Sequence, residues 1–403
     1  MLKITLHTLF LLLFSIHMFA QTFTLDSTQI FGKRALKFEE ANIVTSYYQQ
    51  DGNNSAITGG VGTEKLTDFA NVIDFKLSYN NGKGKKYHFG GDVGIDYYTS
   101  ASSVKIDTRV SSASSSDVRV YPSINASVEN IKTGLILGGN LAFSKEYDYS
   151  SIGGGLHFTK TSRNKNTEFG ARANIFLDTY WQIVASEFRA NLPSGQKQKG
   201  EIGNTPRNTY DLSLTLSQIL SKKFQIALTL DVSYQEGLLS TPFHRVYMND
   251  GSLLREKLPD ARFKIPFGFR ANYFAGERLI IRSFYRYYHD DWGMKAHTLQ
   301  LEMPYKVNST YSVSPFYRFH KQSAIDYFAP KDEGVAGSEF FTSDYDLSGV
   351  NSHFYGLGIR YTPFKDIFGL FAISQLELRG GLYNRSDGLN AGMVSLHFQC
   401  KGF

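Results

Sequence analysis

From Gln21 onward most of the chain alternates apolar and polar residues with a period of two, the pattern of strands that present one face to each of two environments. The clearest stretch is 87–97. There Tyr87, Phe89, Gly91, Val93, Ile95 and Tyr97 share one face, and His88, Gly90, Asp92, Gly94 and Asp96 share the other. Just before it, Ile73, Phe75, Leu77 and Tyr79 oppose Asp74, Lys76 and Ser78, and the intervening NNGKGKK reads as a hairpin turn. The texture recurs at 118–128, 135–143, 152–158, 169–177, 210–216, 224–234, 265–273, 281–287, 299–305, 311–319, 355–361, 376–382 and 394–400. With a weaker first strand at 43–49, sixteen strands are predicted.

Alternation alone also suits a soluble sandwich with one wet face. The connections argue against that. Short ones at 80–85, 130–132, 162–166, 221–223, 275–278, 307–309 and 363–368 alternate with others that include the long stretches 51–67, 100–116, 184–206, 236–259 and 324–350. Tight turns at one end and long loops at the other predict an all-β, antiparallel, up-and-down transmembrane barrel. In hydrocarbon every backbone N–H and C=O needs a partner, and only closure removes the sheet edges. An even strand number puts both ends on the short-turn side. Tyr79, Tyr97, Tyr234, Tyr273, Tyr305 and Tyr361, near strand ends, are expected to form interfacial girdles.

Composition narrows the alternatives. The 403 residues are 42% hydrophobic, 15% aromatic and 20% charged. A mean hydropathy of -0.27 excludes a polytopic helical membrane protein. One cysteine, Cys400, excludes an internal disulfide framework, and on the lipid-facing phase it reads as a small hydrophobe. Residues 1–20, MLKITLHTLFLLLFSIHMFA, read as a cleaved export signal, with Lys3 ahead of a short apolar run. Residues 21–42 are then expected to form a periplasmic arm, and 43–403 the barrel. The net charge of +6 is spread along the chain, so no basic cluster points to nucleic acid. Phe403 is the terminal residue type that outer-membrane assembly signals prefer. It is out of step with Val394, Leu396 and Phe398, which predicts an irregularity near Gly402. The outer-membrane bilayer and its assembly machinery are thus expected partners.

Several stretches resemble an uncharacterised outer-membrane family catalogued as domain of unknown function 3570. They are ALKFEEANIVTSYYQQDGNNSAITGGVGTEKLTDFANVIDF, DYYTSASS, SKEYDYSS, PRNTYDLSLTLSQILSKKFQIALTLDVSYQEGLLSTPFHRVY, KLPDARFKIPFGFRANYF and RSFYRYYHDDWGMKAHT, in that order along the chain. The resemblance implies an exported barrel whose biochemical role is not established. It also implies redox company, a flavin transferase, a thioredoxin-like protein and a small lipoprotein being encoded beside family members. It carries no catalytic or binding residues.

Charges on the lumen phase are sorted. Asp74, Asp92 and Asp96 lie on the second and third strands; Arg262, Lys264, Arg270, Arg282 and Arg286 lie on the tenth and eleventh. Eight strands apart in a ring of sixteen, the two sets are expected to face each other as a constriction that filters polar solutes by charge. The competing expectation is that they pair with neighbours, in networks enriched by Asp178, Asp211, Asp231, Arg318, Arg360, Glu302 and Glu377. HDDWGMKAH, with His289, Asp290, Asp291 and His297, has metal-ligand residue types but reads as a hydrogen-bonded hairpin tip. The acidic loop with Asp326, Asp332, Glu333, Glu339, Asp344 and Asp346 has the oxygen donors calcium takes, and reads rather as a solvated surface. Ser102 and Lys105 match S-x-x-K by chance, and no nucleophile–base arrangement is present. No enzyme activity, cofactor or metal is therefore expected. The sequence favours a passive, porin-like conduit for small polar solutes over a scaffold holding a lipoprotein or redox partner, and over a surface adhesin.

Overall fold

The computed structural model describes residues 36–99, 116–185, 187–188, 201–363 and 372–402. The expected export signal, the arm as far as residue 35, residues 102–105 and Phe403 lie outside the described residues. The first nine strands are β1 (Lys37–Asp51), β2 (Leu66–Asn80), β3 (Lys85–Thr99), β4 (Ser116–Asn130), β5 (Leu135–Lys145), β6 (Tyr149–Thr161), β7 (Thr167–Ile183), β8 (Glu201–Ser221) and β9 (Phe224–Gly237). A small separate hairpin follows, β10 (Arg245–Tyr247) and β11 (Leu253–Arg255). The sheet resumes with β12 (Ala261–Ala275), β13 (Leu279–Asp290), β14 (Lys295–Glu302), β15 (Tyr305–Lys306), β16 (Tyr311–Gln322), β17 (Val350–Tyr361), β18 (Ala372–Arg385) and β19 (Asn390–Lys401).

Each strand pairs antiparallel with its chain neighbour, and β1 pairs with β19 from Glu40↔Lys401 to Asp51↔Asn390, which closes the ring. β14 and β15 form one strand interrupted at Pro304, which has no N–H to give to the ladder. With those two counted as one and the hairpin set aside, the barrel has sixteen strands. The long connections 52–65, 238–260 and 323–349 leave from one end, and the turns 81–84, 131–134, 162–166, 222–223, 276–278 and 307–310 from the other.

One boundary differs from expectation. β1 begins at Lys37, within the span assigned to the arm, and pairs Lys37 with Ser78 and Asn42 with Asp74. A register shift between Phe38 and Glu40 breaks the period there, and adjacent Glu39 and Glu40 disguise the strand. Their carboxylates meet Lys86 at 2.6 Å and Lys76 respectively. An irregularity does occur near the C-terminus: Gly402 donates to Glu39 O at 3.0 Å beside that shift, and β18 slips between Ile373 and Gln375.

The outward face of the strands is apolar. Leu156 is 73% exposed, and Ile124, Leu141 and Ile152 are nearly as open. A continuous band of such residues is stable only where hydrocarbon covers it. Among the described residues no helix is long and apolar enough to cross a membrane. The buried apolar clusters accordingly sit in the long-loop cap. One holds Ile183, Ala185 and Phe243; a second, Leu258, Trp292, Met294 and Ile325; a third, Val246, Met248 and Phe341.

Candidate functional site: the capped end of the barrel

Connections β1–β2 and β9–β12 are rooted eight strands apart in a ring of sixteen, on opposite sides of the mouth. At a strand spacing of about 4.8 Å and a tilt of about 40°, such a ring is roughly 30 Å across. Loop 238–260 folds back on itself as the β10–β11 hairpin. Arg245 pairs with Arg255 and Tyr247 with Leu253, and the turn is made by Asp250, which accepts from Ser252 N–H at 2.9 Å, with Gly251 at φ +82°. Loop 52–65 meets its first strand, β10. Arg245 Nη1 donates to Ile57 O at 2.6 Å, while Nε and Nη2 hold both carboxylate oxygens of Glu187. Gly59 and Gly60, at φ +80° and +82°, approach so closely that a Cβ would lie 2.5 Å from the Tyr247 ring and 2.9 Å from Ser343 O. Two loops from opposite walls in buried contact form a lid across the mouth.

Loop 323–349 completes it. Lys257 and Phe341 exchange backbone hydrogen bonds at 3.1 and 2.7 Å, and Met248 bridges to Gly334. Beneath the lid a cavity of about 530 Å³ lies against β16–β19 and β1, lined by Tyr48, Glu64, His244, Arg318, Asp344 and Arg385 among others. Arg385 contacts Asp387 at 2.7 Å and also pairs with Asp346. Burial pushes Glu64 above the ordinary carboxylate range. It pushes Asp344 up to about 6, against the pull of His244. For His244 itself burial works downward, but the hydrogen bond and charge of Glu256 outweigh it and hold the imidazole above its ordinary value.

The sequence-predicted charges fall on two walls in different states. Asp74 and Asp92 are directly opposite in the β2–β3 register. Asp74 accepts from Asn42 at 2.9 Å, Asp92 from the Ser123 hydroxyl and Asp96 from the Tyr121 hydroxyl at 2.9 Å, all neutral donors. Eight strands away, Arg262 is ion-paired with Asp290, and Arg282 approaches Glu302 at 3.7 Å. Lys264 donates to Gln235, Arg270 lies over the Phe284 ring at 5.6 Å, and Arg286 stands in register with Gly268 and Thr298. Arg282 belongs to a chain of ion pairs: Glu302 meets Arg379 at 3.1 Å, Arg379 meets Glu377 at 3.2 Å, and Glu377 meets Arg360 at 2.8 Å.

At the hairpin tip with HDDWGMKAH, Asp290 is a structural acid. It accepts from Trp292 N–H at 3.1 Å, Met294 N–H at 3.0 Å and the Tyr288 hydroxyl at 2.7 Å besides Arg262. His297 bonds Tyr285 instead of converging with it. Of the acidic residues in loop 323–349, Asp344 alone joins a cluster suited to a metal among the described residues, and its companions, His244 and Glu256, come from the other loop. Sequence reasoning missed this lid. Its signal was Asn249-Asp250-Gly251 between Val246 and Leu254, a hairpin turn inside what reads as a loop.

No curated protein sequence matches this chain. Solved barrels resemble it at low scores. OccD3 (OpdP) of Pseudomonas aeruginosa shares 9% identity over 91% of each chain, with a TM-score of 0.44. OpdK of the same organism, solved with vanillate, shares 7% over 90% of this chain and 98% of that one, at 0.42. A deletion mutant of the TodX monoaromatic hydrocarbon channel shares 10% over 93% and 91%, at 0.41. The vanillate and hydrocarbon in those names belong to those proteins. Residues 99–386 match the family described as "Protein of unknown function (DUF3570)", and the chain, a closed sixteen-stranded barrel with a capped mouth, belongs to that family.

Proposed function

We propose that this is an outer-membrane barrel, porin-like in architecture, that passively conducts small polar solutes and whose outer mouth is governed by the lid. The observation that carries the reading is the pair of unlike faces: an apolar exterior around an inner wall of charged and hydrogen-bonding side chains. An aqueous path needs such a wall, and a packed core would not tolerate it. The long-loop end is then extracellular and both strand termini are periplasmic. On this reading Asp74, Asp92 and Asp96 form an anionic strip, and Lys264, Arg270 and Arg286 a cationic one opposite, while Arg262 and Arg282 are balanced by Asp290 and Glu302.

Planar-bilayer recording of the purified barrel tests this. Stable conductance is expected, with Asp92→Ala shifting selectivity toward anions and Arg282→Ala, which leaves Glu302 less balanced, shifting it toward cations. Unaltered selectivity in both variants removes the constriction, and absence of conductance removes the conduit. The lid supports one other reading: with the outer mouth covered, the barrel suits a scaffold holding a lipoprotein or redox partner. That protein would copurify with its partner and pass no current.

A further inference from the structure

His244, Glu256 and Asp344 place three different donor atoms, one from each, within 4.8 Å of one another. His244 Nδ1 lies 3.4 Å from Glu256 Oε1 and 4.0 Å from Asp344 Oδ2. Donors of a tetrahedral zinc ion, at about 2.0–2.2 Å from the metal, stand about 3.3 Å apart. The first separation already matches, and a modest closing of the Asp344 side chain supplies the rest.

Local structure builds this arrangement. Glu256 N–H donates to His244 O at 3.2 Å, continuing the β10–β11 ladder by one pair, so the two side chains stand side by side. Asp344 caps the 3-10 turn Tyr345–Leu347, accepting from Asp346 N–H at 2.9 Å through Oδ1, which leaves Oδ2 for the cluster. Glu256 is oriented in the same manner, by Thr241 N–H on Oε2 at 2.6 Å and by the Thr342 hydroxyl on Oε1. Such outer hydrogen bonds hold metal ligands in place. A second observation concerns charge. Glu256 is buried, yet among the described residues no lysine or arginine forms an ion pair with it or with Asp344. One buried and one half-buried carboxylate compensated by one imidazole leave a deficit that a divalent cation meets.

We propose that His244, Glu256 and Asp344 form a zinc site that clamps loop 238–260 to loop 323–349, its remaining coordination position turned toward the cavity that His244 and Asp344 line. The imidazole donor and the three-ligand set favour zinc over calcium, which takes six to eight oxygens. The site is built from loop residues, so it survives or fails independently of whether the barrel conducts.

The test uses the full chain, folded in detergent, stripped with chelator, incubated with zinc and freed of excess by gel filtration. One zinc per chain is expected, with none retained by His244→Ala or Glu256→Gln and full retention by Glu339→Gln, an exposed acid of the loop that carries Asp344. Thr342→Val, which removes an orienting hydroxyl but no ligand, is expected to bind zinc about 10–100-fold more weakly. Cobalt loading of the wild type gives a readout that needs no variant to fold: a tetrahedral visible spectrum that zinc abolishes supports the site. A wild type that keeps no metal, an octahedral cobalt spectrum, or equal zinc in folded His244→Ala and Glu256→Gln overturns it; His244 is then a cation bridging two acids.

Discussion

Asp290→Ala is expected to lower the stability of the folded barrel by about 3–5 kcal/mol, the range for removing one partner of a buried ion pair. Asp290 is fully buried and receives Arg262, the Tyr288 hydroxyl and the N–H groups of Trp292 and Met294. The variant leaves a mostly buried guanidinium without a counter-charge and strands two backbone donors beside the cluster of Leu258, Trp292, Met294 and Ile325. Arg262 also lies 4.3 Å over the Trp292 ring, whose Nε1 donates to Ala261 O at 2.9 Å, so the damage reaches the lid. Urea unfolding in micelles measures the effect as a lowered midpoint with an unchanged slope. Asp290→Asn keeps an acceptor oxygen and is expected to cost less. Adding Arg262→Met to Asp290→Ala is expected to recover part of the loss, because the orphaned charge disappears with it. Full stability of the Asp290→Ala variant would mean that the hairpin tip is solvated rather than locked.

The second large effect is expected from Arg245→Ala. Arg245 is 3% exposed, and its guanidinium joins three loops by reaching Ile57 O and both oxygens of Glu187. Charge-assisted hydrogen bonds of this type contribute about 1.5–3 kcal/mol each. A net loss of about 3 kcal/mol shifts the closed-to-open equilibrium of the lid about 100-fold toward open. In planar bilayers the variant is expected to spend far more time in its highest conducting level than the wild type, with unfolding in urea little changed, because the strand ladder does not depend on this contact. Arg245→Lys is expected to behave much like the alanine variant, since a single ammonium cannot replace a planar fork. Identical gating in Arg245→Ala and wild type would show that the lid does not control passage.

The membrane architecture was legible because strand phase is a local property. At 87–97 each residue's neighbours two positions away share its environment, so the apolar and charged faces can be read without knowing what the strand pairs with. The turns were legible for the same reason, through NNGKGKK and its counterparts. The start of β1 was not, because the slip at Phe38–Glu40 removes the period on which the reading relies. Among the candidate residues, Asp290 was correctly read as part of a hydrogen-bonded tip. The acidic loop was read as a solvated surface, whereas Asp344 packs against His244 and Glu256, which belong to a different loop.

The sequence by itself therefore determined the class of the fold, the strand number and which end carries the long loops. Each follows from patterns within one strand or turn. Only the tertiary structure decided that the mouth is capped and that Arg245, His244, Glu256 and Asp344 hold the cap. Those contacts join loops 52–65 and 238–260, whose roots are brought face to face by closure of the ring through β1 and β19, with loop 323–349 from the wall between them. Closure is a property of all sixteen strands together, so no stretch of the chain records which loops meet across it.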